Sequence, residues 1–68
     1  MQIVLNGESH EIEGDGEPVL ARVLADAGLP ARGIAVAVDG EVVPRASWNE
    51  HRITDGARVE VLTAVQGG

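Results

Sequence analysis

The spacing of hydrophobic and polar residues changes along this chain, and each change marks an element. Residues 1–6 (MQIVLN) form an apolar run of strand length ending in Asn6-Gly7, the dipeptide favoured by tight hairpins because both central positions take positive φ. A second, antiparallel strand is expected over residues 9–13. Gly14-Asp15-Gly16-Glu17 then breaks the alternation, and Pro18 suits a first helical position, where its missing N–H is no loss. Leu20, Val23, Leu24 and Ala27 follow with i, i+3, i+4, i+7 spacing, one apolar stripe with Arg22, Ala25 and Asp26 mostly on the other side. A helix starting near Pro18 is therefore predicted. Gly28-Leu29-Pro30 stops it with a left-handed cap, an apolar residue able to pack back, and a residue that cannot continue the helix.

From Gly33 the period returns to two. Ile34, Val36 and Val38 alternate with Ala35 and Ala37, then Asp39-Gly40 turns the chain into a short run over residues 41–43. This is a second hairpin with its bulky side toward the helix. Pro44 ends the pairing, residues 45–51 read as an irregular surface crossing that contains Trp48, and Asp55-Gly56 introduces a last strand over residues 57–65. In that strand Val59 and Val61 alternate with Arg58 and Glu60. The order strand, strand, helix, strand, short strand, strand fits an α+β architecture in which a mixed sheet of four to five strands packs on one helix and the last strand pairs beside the first. That is the ubiquitin-like β-grasp arrangement. One domain over residues 1–65 and a mobile diglycine arm over residues 66–68 are expected.

Composition narrows the function. The chain has 68 residues, no cysteine and one aromatic residue, so its core is aliphatic and disulfides, thiolate chemistry and cysteine-bound zinc are excluded. A formal charge of −6 and the lack of stacking aromatics argue against nucleic acid and favour a basic protein partner. All five basic residues are arginine, so the chain offers no lysine for isopeptide attachment to itself. Neither a charged leader nor a membrane-length apolar run is evident, which makes the cytoplasm the expected location.

Catalytic and metal motifs are weak. Ser9 and His10 are adjacent in a strand and so point to opposite faces, which leaves no hydrolytic pair there; Ser47 and His51 read as solvent-facing polar residues of the crossing. Glu11-Ile12-Glu13-Gly14-Asp15-Gly16 imitates the start of a calcium loop, but Arg22 occupies the position that needs a bidentate Glu. The same glycines lack the spacing and the lysine of a nucleotide-binding turn. Neither a catalytic group nor a metal site is expected. Trp48 is read as a cover for the open end of the core, with an interface anchor as the alternative.

Two features remain. With Val59 and Val61 facing the core, Leu62 and Ala64 fall on the uncovered face of the sheet, and with Val4 they form a candidate docking patch, although scattered exposed aliphatics are ordinary. Gln66-Gly67-Gly68 carries nothing apolar to bury, and its glycines could thread a narrow channel that any Cβ obstructs. Taken alone, a diglycine end fits a reactive arm and a frayed terminus equally.

Taken together, IVLNGE, the helix ending in GLP, IAVAVDGEVVPR with a tryptophan three residues later, DGARVEVL and the terminal AVQGG resemble the ThiS family of thiamine-biosynthesis sulfur carriers over the whole chain. The small subunit of molybdopterin synthase is similar, but such subunits show a proline pair near the end where this chain has Thr63-Ala64-Val65. The resemblance implies a protein cosubstrate rather than an enzyme. Gly68 is then the site of adenylation and thiocarboxylation, with Gly67 and Gln66 in the partner's channel. It further implies a ubiquitin-activating-like adenylyltransferase (ThiF-like) that uses ATP and magnesium, a cysteine desulfurase as indirect sulfur source, and thiazole synthase (ThiG-like) as recipient. A carrier serving another pathway and an interaction module with an inert tail are the remaining alternatives.

Overall fold

The computed structural model describes residues 1–14 and 16–63. Its elements are β1 (Gln2–Leu5), β2 (Glu8–Glu11), α1 (Leu20–Asp26), β3 (Ile34–Val38), β4 (Glu41–Val42), a 3-10 helix (Arg45–Ser47) and β5 (Arg58–Thr63). The sheet order is β2-β1-β5-β3-β4. β5 runs parallel to β1, with Leu5 opposite Val59, and antiparallel to β3, with Val36 opposite Val61. The two hairpins therefore flank the last strand, which has a neighbour on each side.

Helix α1 begins two residues later than its proline suggested. Val19 is extended (φ −76°, ψ 156°) and bridges Arg52, while the Pro18 carbonyl accepts a hydrogen bond from Ile53 N at 2.8 Å. Pairing with the crossing thus claims residues that propensity assigned to the first turn. No side chain caps the helix; instead Leu20 N donates to the His51 carbonyl (2.7 Å) and Ala21 N to the Trp48 carbonyl (2.9 Å). Backbone groups of the crossing so satisfy N–H groups that every helix start leaves open. At the other end Gly28, at φ +77°, donates to Ala25 (3.0 Å) and Leu29 N to Leu24 (2.9 Å), the paired bonds of a Schellman cap.

One aliphatic core lies between the helix and one face of the sheet. Leu20, Val23 and Leu24 meet Ile3, Val36, Val59 and Val61, with Ile12 and Ile53 closing the ends. Ala27, the fourth residue of the predicted stripe, is only half-buried. β2 stops at Glu11, short of the expected residue 13, so that Ile12 can turn into the core while its N–H still reaches the Met1 carbonyl (2.8 Å). β4 likewise ends at Val42, and Val43 turns inward. The crossing is more ordered than its sequence indicated. Trp48 is 6% exposed beside Leu24 and Leu29, and its Nε1 donates to the Val43 carbonyl at 2.9 Å. That bond answers the polar requirement of a buried indole and places Trp48 in the core, not at an interface.

Leu24 is 3% exposed at the centre of this packing. Replacing it with Ala should lower the unfolding free energy by about 2–5 kcal/mol in urea titration; a near-neutral result would mean that the core closes around the cavity.

Candidate functional site

The alternation of β3 shapes the uncovered face of the sheet. Val36 and Val38 turn into the core, so Ala35 and Ala37 form a low floor on the opposite side. Leu62 stands beside Ala35 and Val42 beside Ala37 in the sheet register. These two are the exposed large hydrophobic residues among those described, at 71% and 76%. Together with Asn6 and Glu60 they line a shallow groove of about 190 Å³. Small-molecule pockets are generally nearer 300–1,000 Å³, so the groove is the size of a side-chain seat.

The turns of the two hairpins, β1–β2 and β3–β4, flank β5 in similar ways. Asn6 and Asp39 each sit at φ 50° and precede a glycine of positive φ. In that conformation the side chain folds toward β5. Asn6 Oδ1 accepts a hydrogen bond from Val61 N at 2.7 Å, and Asp39 Oδ1 accepts one from Arg58 N at 2.9 Å. Beside them Asn6 N donates to Val59 O (2.9 Å) and Asp39 N to Arg58 O (2.8 Å). Each turn side chain thus takes the place of a main-chain acceptor where the backbone has already turned away.

Past Val61 only β3 accompanies the strand, with Thr63 opposite Ile34 at the last described position. The last described residues of β5 therefore run beside the groove, since Leu62 belongs to both. Of the predicted patch, Leu62 lines this groove. Val4 is half-buried opposite Arg58, at the other end of β5, and does not line it. Ala64 and the arm residues Gln66, Gly67 and Gly68 lie outside the described residues. Val42, Ala35, Ala37 and Asn6 were missed in the sequence reading; the small-residue alternation at 35 and 37 was the available signal.

The rejected motifs have structural explanations. His10 pairs with core-facing Ile3 while Ser9 pairs with Val4, so the two point to opposite faces. Ser47 serves the crossing through its carbonyl, which accepts from Glu50 N (3.0 Å) and His51 N (2.9 Å). Around the acidic stretch, Arg22 shares a depression with Glu11, Glu13 and Asp26 and approaches Asp26 at 3.8 Å. A guanidinium already occupies the place a cation would take. Among the described residues no three His, Asp or Glu side chains gather as a metal site, and no helix is long and apolar enough to cross a membrane.

Known proteins share this pattern. The model of the ThiS family matches residues 3–68. The sulfur carrier protein ThiS of Thermus thermophilus is 34% identical over 64 residues, covering 94% of this chain and 95% of that one. A thiazole synthase of Paramagnetospirillum magneticum is 28% identical over 68 residues; the chain spans only 20% of that protein's length. The crystal structure of the thiamine biosynthesis protein ThiS from Geobacter metallireducens superposes with a TM-score of 0.88 at 26% identity, over all of both chains. The solution structure of a thiamine biosynthesis protein from the same organism gives 0.78 at 26% identity, over all of this chain and 88% of that one.

Two variants test the geometry. Asp39→Ala removes the acceptor for Arg58 N and leaves a residue ill suited to positive φ, which should cost about 1–2 kcal/mol in urea unfolding. Leu62→Ser should stay within about 0.5 kcal/mol of the parent protein, because an exposed side chain contributes little to folding.

Proposed function

Because the chain belongs to the ThiS family, we propose that it is a sulfur carrier of thiamine biosynthesis, a protein cosubstrate whose reactive group is the Gly68 carboxylate. The observation that carries this reading is a family match that runs through Gly67 and Gly68. Nearly full mutual coverage with the Thermus thermophilus sulfur carrier supports it. The likeness to one segment of a thiazole synthase supports that enzyme as the place where carrier and recipient meet.

The chemistry follows from what a carboxylate lacks. It is a poor electrophile until one oxygen becomes a leaving group. A ThiF-like adenylyltransferase, using ATP and magnesium, joins the Gly68 carboxylate to AMP and releases pyrophosphate. Sulfur from a cysteine persulfide, charged by a desulfurase, then attacks the carbonyl carbon and AMP departs. A thiol clears the resulting sulfur–sulfur bond, leaving a glycyl thiocarboxylate. This anion is the better nucleophile at sulfur and attacks a carbonyl or imine held by thiazole synthase. The carrier itself needs no acid–base group for any of these steps. Gly67 and Gln66 span the partner's channel, and the groove at Leu62 docks the partner.

With ATP, a competent activating enzyme and a sulfur donor, intact mass spectrometry should show one oxygen replaced by sulfur, and deletion of Gly68 should abolish the change. An unmodified wild-type mass with partners proven active on another carrier would overturn the reading. Leu62→Asp should load poorly at low carrier concentration although the protein remains folded.

A further inference from the structure

Asn6 has two sides, and the fold uses one of them. A main-chain N–H can only donate, so the 2.7 Å bond from Val61 N fixes Oδ1 against β5. The Nδ2 group is thereby turned away from the strand, and Asn6 is an exposed member of the groove wall. We propose that Asn6 is a positioning residue for sulfur loading. Its Nδ2 donors hold a main-chain carbonyl of the activating protein while an aliphatic side chain of that protein enters between Val42 and Leu62. This rests on the sulfur-carrier reading.

Three observations identify this occupant. The groove, about 190 Å³ with a floor of Ala35 and Ala37, accepts a side chain and is too small for most free ligands. Its polar members are complementary in kind, because Asn6 Nδ2 can only donate and the Glu60 carboxylate only accept. A peptide segment offers both partners at short spacing, and a basic surface suits the formal charge of −6. Distance supplies the reason for a seat here. Gly68 is five residues beyond Thr63, so its carboxylate reaches at most about 18 Å from the end of β5. A contact beside the last described residues of β5 therefore limits where that carboxylate can be delivered.

The other turn supplies the control. Asp39 occupies the same φ of 50° and its carboxylate accepts Arg58 N at 2.9 Å, so Asn6→Asp keeps both the turn and the clamp, removes the donors and adds one negative charge, whose effect the salt dependence separates. Asn6→Ala removes clamp and donors together.

Adenylation kinetics of the full chain with its activating protein, read as pyrophosphate release, are measured beside thermal melting at low and high salt. Asn6→Asp should melt within about 2 °C of wild type. Its KM should rise about tenfold with kcat unchanged, the signature of lost binding that is uniform through the reaction. Asn6→Ala should show a similar KM and a lower melting temperature. A KM for Asn6→Asp within about twofold of wild type overturns the proposal. So does a rise that vanishes at high salt, which would report charge repulsion. A wild-type protein that never loads counts against the carrier reading itself, whereas a wild type that loads beside an unaffected Asn6→Asp variant defeats only the role of Asn6.

Discussion

Strand β5 is the central strand, partnered on both sides from Arg58 to Val61, and most of this small structure serves that pairing. β1 lies parallel on one side and β3 antiparallel on the other, each the first strand of a hairpin whose second strand covers the outer edge. Two hairpins cannot pair fully with a strand placed between them, because each must turn back before β5 ends. Asn6 and Asp39 resolve this by lending a side-chain oxygen to Val61 and Arg58 just past the turns. Asp55 does the same for β1, accepting from Gln2 N at 2.8 Å. Each such bond contributes only about 1 kcal/mol, but an unpaired N–H inside the sheet would cost more than that.

The same economy governs the helix. A seven-residue helix is too short to persist by propensity alone, so α1 depends on what surrounds it. The crossing that carries Trp48 and His51 gives its first N–H groups their acceptors, and the Schellman bonds at Gly28 close its far end. Trp48 covers this junction and bonds to Val43, tying helix, crossing and second hairpin together. A core built almost wholly of aliphatic side chains thus acquires a single fixed geometry from a few directional bonds at its rim.

Folding and chemistry are divided between the two faces of the sheet. Val36 and Val38 of β3 and Val59 and Val61 of β5 serve the core, which leaves Ala35, Ala37 and Leu62 on the other side and a groove beside the last described residues of β5. On the proposed reading the reactive atom belongs to the terminal carboxylate, and such a carrier has no need of a pocket. It needs a stiff strand and a surface by which a catalyst can hold it, and the groove between Val42 and Leu62 lies beside the last described residues of that strand.

Much of this was legible in the residue pattern. The glycine turns at 7, 28, 40 and 56, the helical stripe and the order of elements required only local rules, because positive φ and periodicity act within a few residues. The family could be read from the same stretches. What local rules missed was decided by partners distant in sequence: Val19 extended because it bridges Arg52, and β2 stopped at Glu11 because Ile12 fills the core. The docking face divides the same way. Leu62 followed from strand phase, but its neighbours in the groove did not, since the register setting Val4 opposite Arg58 and Val42 beside Ala37 depends on pairing across the sheet. The sequence by itself determined which residues turn, which alternate and which chemistry the chain lacks, because those are short-range properties. Only the tertiary structure decided which residues of one face stand side by side, because that choice belongs to strands far apart in the chain.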